Sequence, residues 1–330
     1  MLYLVGLGLH PEDISVRALR AVKKCDKVFL ESYTSILVSE KHMSSLVEDV
    51  IQRDDVISAD RDMVETDSDQ ILDAAETGDS ALLVIGDPFC ATTHSDMYLR
   101  ARERGIEVQV FHNASIMSAV GGSGLEVYRF GYCVSIVFWN WENSVSSRPT
   151  SFYTRILDNK ARGLHTLCLL DIKVKERSDE SYMHGTNEFL PPRYMTSFQA
   201  AEEIAACPTS MHTQAFEAAQ YEDSDVEEDA IESPEDIGSS LAVACCRVGT
   251  TGERFYVGTL AELGKLGYGE RMKNEEEEME GIEKSPSMLG PPLHSLVVCG
   301  DLTLMEARML LEWEFASEET KQAVKKIAEM

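Results

Sequence analysis

Residues 81–94 read ALLVIGDPFCATTH. The first five are all apolar, the pattern of a strand covered on both faces. Gly86, Asp87 and Pro88 end it, and the small, polar run that follows is longer than a turn needs before helix signals begin at Ser95. Doubly covered strands belong to parallel sheets, so strands and helices should alternate on either side. Toward the N-terminus, residues 2–5 form a short apolar run closed by Gly6-Leu7-Gly8. Residues 15–24 place Val16, Leu19, Ala21 and Val22 near helical spacing. Residues 27–31 read as a strand, and residues 69–77 as a helix stopped by Gly78. Toward the C-terminus come a helix over 95–104 closed by Gly105, a strand over 108–111 and a helix from Ser115. This alternation predicts an α/β domain with a mostly parallel sheet over residues 1–125.

Residues 126–330 read as a second α/β domain with a mixed sheet. Its expected strands are 134–139, 165–172, 241–248, 254–259 and 295–298, and its helices 152–162, 198–206 and one from Thr303. Two acidic stretches, near 209–238 and 270–287, read as solvated, mobile insertions, since they offer almost nothing to bury.

Composition narrows the function. With 57 acidic against 30 basic residues, the net charge of −27 repels nucleic-acid backbones and anionic membranes and attracts basic protein surfaces. No apolar stretch is long enough to span a membrane. The first residues lack the basic region of a signal peptide. The eight cysteines form no C-x-x-C pair, so they read as reduced, buried thiols of a cytosolic protein. H-E-x-x-H, a P-loop and G-x-S-x-G are absent, which leaves metal, phosphoryl and serine-nucleophile chemistry unsupported.

Four segments beside apolar strands could carry ligand contacts, each with a plainer alternative. Gly6-Leu7-Gly8-Leu9-His10-Pro11 lets a ligand approach the backbone or makes a tight turn; Pro11 stands where a dinucleotide fingerprint needs its third glycine. In the GDPFCATTH loop, Asp87 could accept hydrogen bonds from an amine or a ribose hydroxyl, and Cys90 and Ala91 leave room for a flat ligand. An Asx-Pro turn is the alternative there. His112-Asn113-Ala114-Ser115-Ile116 offers amides to a carboxylate or simply caps a helix. His294, in Pro291-Pro292-Leu293-His294-Ser295, reads as structural, with adenine contact as the alternative.

These residues also carry a family resemblance. The opening MLYLVGLGLHPEDISVRALRAVKKCDKVFLESYTS resembles the diphthine synthases, as do VIGDPFCATTHSDMYLRA, FHNASIMSAVG, GLHTLCLLDIKVKE and PPLHSLVVCG, in family order over nearly the whole chain. FWNW, LLDIKVKE and PPRYM resemble the eukaryotic branch. The resemblance implies the two-domain tetrapyrrole-methylase fold, S-adenosylmethionine as methyl donor (leaving S-adenosylhomocysteine), folded in a cleft between the domains, and a homodimer. It implies cofactor contacts at Leu9, Asp87, Cys90, Ser115, Ile116, Leu170, Val248 and His294. Cys90 stands where the family often has glycine or another small or apolar residue. The implied substrate is a 3-amino-3-carboxypropyl-histidine on translation elongation factor 2, methylated three times on its amino group and once on its carboxylate. No residue announces itself as the catalytic base. The rival readings are a tetrapyrrole methyltransferase of the same fold, and a catalytically idle binding protein that uses the acidic loops as bait.

Overall fold

The computed structural model describes residues 1–32, 46–141, 144, 147–174, 189–207, 237–279 and 287–330. The acidic stretch over 222–236 lies outside them. By its packing the chain divides into one unit of residues 1–119 with 248–251, and another of 120–247 and 252–330.

The first unit alternates as its sequence pattern requires. Its strands are β1 (Leu2–Gly6), β2 (Lys27–Glu31), β3 (Ile57–Ala59), β4 (Ser80–Val84) and β5 (Val108–Phe111). Its helices are α1 (Val16–Val22), α2 (Asp69–Thr77), α3 (Ser95–Glu103) and the single turn α4 (Ile116–Ala119). The sheet order is β3-β2-β4-β1-β5, with every pair parallel. Helix α1 starts where the Ser15 hydroxyl accepts the Ala18 amide, a cap worth about 1 kcal/mol. Period-two alternation sends side chains to opposite faces of the sheet. Val5, Val28 and Leu83 meet Ala18 and Val22 of α1 on one face. Leu4, Leu82 and Val84 meet Ile71, Leu72, Met97 and Ala101 of α2 and α3 on the other.

That division fixes where a ligand can sit. Strand β1 leads into α1 on one face, whereas its neighbour β4 leads into α3 on the other. Adjacent strands whose following helices diverge open a crevice at their carboxyl ends, and the glycine loops after β1 and β4 lie there.

The second unit holds β6 (Val134–Ile136), α5 (Ser151–Ala161), β7 (Thr166–Leu170), the short pair β8 (Ile172–Lys173) and β9 (Arg193–Tyr194), and α6 (Ser197–Ala205). There follow β10 (Leu241–Cys246), β11 (Arg254–Thr259), α7 (Leu260–Met279), β12 (His294–Val298), α8 (Leu304–Leu310), β13 (Glu314–Phe315) and α9 (Glu318–Ala328). Its main sheet runs β13-β11-β10-β12-β7-β6, antiparallel at the centre and parallel at both edges. Phe198, Ile204, Tyr256, Leu260, Leu263 and Leu296 share its core. Helix α7 lies against α6 because Gly267 has no side chain: a Cβ there would stand 2.3 Å from the Phe198 carbonyl oxygen. Arg271 of α7 then pairs with Glu202 of α6 at 2.8 Å.

The structure corrects several element expectations. The strand expected over 134–139 stops at Ile136, because the next amides turn to side-chain carboxylates: Phe138 donates to Asp171 Oδ2 at 3.1 Å and Trp139 to Glu203 Oε1 at 2.9 Å. The strand expected over 241–248 stops at Cys246, where Arg247 takes a φ of 49°. The acidic residues 275–278, expected in a mobile insertion, are instead the last turns of α7, supported there by the i,i+4 pair Lys273–Glu277 at 3.7 Å. Helices α7 and α9 have no counterpart in the sequence reading.

Candidate functional site

The carboxyl ends of β1, β4 and β5 are stitched together by loop bonds. Gly8 and Gly86 donate their amides to each other's carbonyls at 3.1 and 2.8 Å, and both take φ near +80°, a conformation glycine adopts without strain. A Cβ on Gly6 would lie 2.7 Å from the Gly86 oxygen, so a side chain there would drive the two loops apart. Asp13 Oδ2 accepts the Leu9 and His10 amides at 3.0 and 2.9 Å and holds the first loop closed. Asn113, past β5, donates from Nδ2 to the carbonyls of Gly6 and Asp13, both at 3.0 Å, while its Oδ1 accepts the Ala114 amide at 2.8 Å.

Asp87 is the electrostatic centre of this edge. It is 4% exposed. Its Oδ1 accepts the Phe89 amide at 2.9 Å, and its Oδ2 takes the Asn113 amide at 3.0 Å and His112 Nδ1 at 2.9 Å. Burial acts to raise its pKa, but the Phe89 and Asn113 amides and His112 outweigh it and hold the carboxyl below the usual carboxylate range. An ionised, fixed carboxylate suits an amine, a hydroxyl or a positively charged group. The loop beyond it carries Ala91 at φ 60°, a left-handed conformation that costs a non-glycine residue about 1–3 kcal/mol and clusters at functional sites. Half-buried Cys90 donates its amide to the Asp87 carbonyl at 3.3 Å. The loop ends at His94, whose Nε2 lies 3.5 Å from Glu31 Oε2 at the end of β2, both side chains fully buried. Burial lowers the His94 pKa.

Ser115 is buried beside Gly86; a Cβ on that glycine would stand 3.6 Å from Ser115 Cβ. Its hydroxyl accepts the Met117 amide at 3.2 Å, so it caps α4, and half-buried Ile116 opens the turn. Leu9 is half-buried, and a Cβ on Gly249 would come within 2.8 Å of Leu9 Cβ, so the Val248 segment lies against the first glycine loop. Thus Leu9, Asp87, Cys90, Ser115, Ile116 and Val248 all belong to the first unit.

Leu170 and His294 belong to the second unit and are neighbours. Ser295 pairs with Leu169 across β12 and β7, which places His294 and Leu170 one step further along that ladder. His294 is 8% exposed, and its Nε2 lies 3.0 Å from the Pro291 carbonyl. Burial, with Arg247 nearby, lowers its pKa to about 4, so the imidazole is neutral and Nε2 is the donor. That ring nitrogen is engaged within the protein. Sequence reasoning misses Asp13 and gives His112 and Asn113 only as members of the HNASI segment, without the bonds their side chains make. Their only signal was a polar residue directly after a strand or glycine loop.

Among the described residues no cluster of His, Cys, Asp and Glu could hold a metal ion. No described helix is long and apolar enough to cross a membrane.

The family model described as Tetrapyrrole (Corrin/Porphyrin) Methylases matches residues 1–190. The diphthine methyl ester synthase of Neurospora crassa is 44% identical, with 92% of this chain and 90% of that protein aligned. That of Mus musculus is 42% identical over 94% of this chain and 95% of its own. A crystal structure of diphthine synthase superposes with a TM-score of 0.63 at 28% identity, covering 97% of this chain and 98% of the other. The chain therefore belongs to the tetrapyrrole (corrin/porphyrin) methylase family and, within it, to the diphthine methyl ester synthases.

Proposed function

We propose that the chain is an S-adenosylmethionine-dependent methyltransferase of diphthamide biosynthesis. Its substrate is the 3-amino-3-carboxypropyl-histidine on translation elongation factor 2; it methylates the amino group three times and the carboxylate once. The observation that carries this reading is the near-full-length identity to proteins named diphthine methyl ester synthases. The site chemistry supports it. Asp87 is an ionised acceptor on fixed loops at the switch between β1 and β4, and the glycines there let a flat ligand reach the backbone. Those groups fit the amine and ribose hydroxyls of S-adenosylmethionine.

In this reading Leu9, Asp87, Cys90, Ser115, Ile116, Leu170, Val248 and His294 hold the cofactor. When bound, it supplies an electrophilic methyl group on a sulfonium. The task of these residues is to fix that methyl at near-attack distance and to keep water out; oriented placement of this kind can supply about 7–11 kcal/mol of the barrier. Asp87 orients through its charge, while Leu9 and Leu170 offer the cofactor apolar side chains. We place the protein in the cytosol as a homodimer, with elongation factor 2 as its protein substrate.

The test is intact-mass analysis of elongation factor 2 carrying the unmethylated intermediate, incubated with the protein and S-adenosylmethionine. The reading predicts stepwise additions of a methyl mass, on the modified histidine only. Methylation of a porphyrinoid and none of elongation factor 2 would contradict it.

A further inference from the structure

The carboxyl edge of β6 and β7 holds polar groups that the core does not require. Two carboxyl groups sit on successive backbone amides. Phe138 donates to Asp171 Oδ2 at 3.1 Å, and Trp139 donates to Glu203 Oε1 at 2.9 Å. Lys173 Nζ lies 3.8 Å from the same oxygen of Asp171. Among the described residues nothing bonds to Asp171 Oδ1. Glu203 is 2% exposed, and its Oε2 has no hydrogen-bond partner among the described residues, an expensive arrangement for a buried carboxyl.

The same edge carries a cation. The guanidinium of Arg193 stands 5.1 Å from the centroid of the Phe138 ring. The short β8–β9 pair puts Arg193 opposite Lys173, and Met195 donates its amide to the Asp171 carbonyl at 3.0 Å. Phe138 therefore has an anion on its amide and a cation over its ring. A free α-amino acid end carries the complementary pair, an ammonium and a carboxylate a few ångströms apart. Leu170, one of the proposed cofactor contacts, immediately precedes Asp171.

Building on the proposed function, we infer that this edge is the acceptor subsite: Asp171 receives the amino group of the 3-amino-3-carboxypropyl end and its proton, and Arg193 receives its carboxylate. The ammonium gives a proton to the Asp171 carboxylate. The freed nitrogen lone pair forms the new bond to the methyl carbon as the carbon–sulfur bond breaks, its electron pair staying on sulfur. Asp171 then passes its proton to water. Each methylation of the amine releases one proton in this way, and after the third the quaternary cation is held by the Asp171 carboxylate. Glu203 is a positioning residue. Burial, reinforced by Glu202 and Asp171 nearby, raises its pKa to about 8, so it holds the Trp139 amide as an uncharged group near neutral pH.

The experiment compares the parent chain with Asp171→Asn and Arg193→Met. Asn keeps an acceptor for the Phe138 amide, so the fold is preserved. Three readouts are taken: S-adenosylhomocysteine binding by calorimetry, affinity of the resulting complex for unmethylated modified elongation factor 2, and the pH–rate profile of methyl addition. We expect both variants to bind S-adenosylhomocysteine within twofold of the parent and the modified elongation factor at least about tenfold more weakly. Asp171→Asn should lose about 100-fold or more in kcat/KM, partly recovered as pH rises and the amine loses its proton unaided. Substrate affinity and pH profile like the parent's would overturn the inference, as would parallel loss of S-adenosylhomocysteine binding. Failure of the parent itself to methylate the factor would count against the proposed function instead.

Discussion

The two sheets present their proposed ligand residues in opposite ways. In the parallel sheet, Leu9, Asp87, Cys90 and Ser115 lie on loops beyond strand ends, tied by side-chain-to-backbone bonds from Asp13, Asp87 and Asn113. In the mixed sheet, Leu170 and His294 are the terminal rungs of strands; half-buried Asp171 follows Leu170, and His294 is itself a buried, neutral imidazole. The first arrangement is a rigid scaffold carrying ligand loops. The second places its proposed contacts on strands of the core itself. A substitution in the first should therefore disturb binding before stability, and one in the second should disturb stability and its pH dependence.

The sharpest way to break that comparison is Gly6→Val. Its first side-chain atom alone would stand 2.7 Å from the Gly86 oxygen, and overpacking of this kind costs about 1–3 kcal/mol. Since the two loops must separate, S-adenosylhomocysteine binding should vanish in calorimetry while a cooperative melt survives at lower temperature. Full binding in this variant would show that the loops are not the site.

Glu203 tests the mixed sheet. Its folded pKa of about 8 lies above the ordinary glutamate value of 4.5, so the folded state holds a proton that the unfolded state releases. Its contribution is whole below pH 4.5 and is lost as pH rises through 8, by up to a few kcal/mol. Glu203→Gln should flatten the alkaline side of a melting-temperature profile; an unchanged slope between pH 6 and 9 would contradict this. His294 works in the opposite direction. Its folded pKa of about 4 lies below 6.5, so its contribution is present above pH 6.5 and is lost as pH falls through 4. His294→Gln should flatten the acid side, read from the same melts. The smallest effect belongs to Thr196→Ala, which removes one half of the α6 capping box and should cost about 1 kcal/mol in urea unfolding with binding untouched.

The sequence was most legible where one physical signal dominated. The helix expected over 69–77 is α2 to its last residue, because its apolar spacing and Gly78 agree, and the strand expected over 81–85 is β4 shifted by one residue, its apolar run having no exposed face. The GDPFCATTH loop was legible because its polar run exceeds the needs of a turn. Helix α7 was illegible because its glycines and its acidic end hide the apolar face; Gly267 makes sense only once Phe198 of α6 is placed against it. The end of β6 depends on Asp171 and Glu203, distant in sequence, taking its amides. Leu170 and Val248 have the character of core residues, and the family resemblance alone marked them as ligand contacts.

Calorimetric titration of the protein and its Asp87→Ala variant with S-adenosylhomocysteine tests the central claim most directly. The account predicts binding by the parent and a loss of at least about tenfold in the variant, the scale expected for removing a charged hydrogen-bond acceptor. Equal affinities would contradict the assignment of the parallel sheet's glycine loops as the cofactor site, and no binding by the parent would contradict the methyltransferase reading itself.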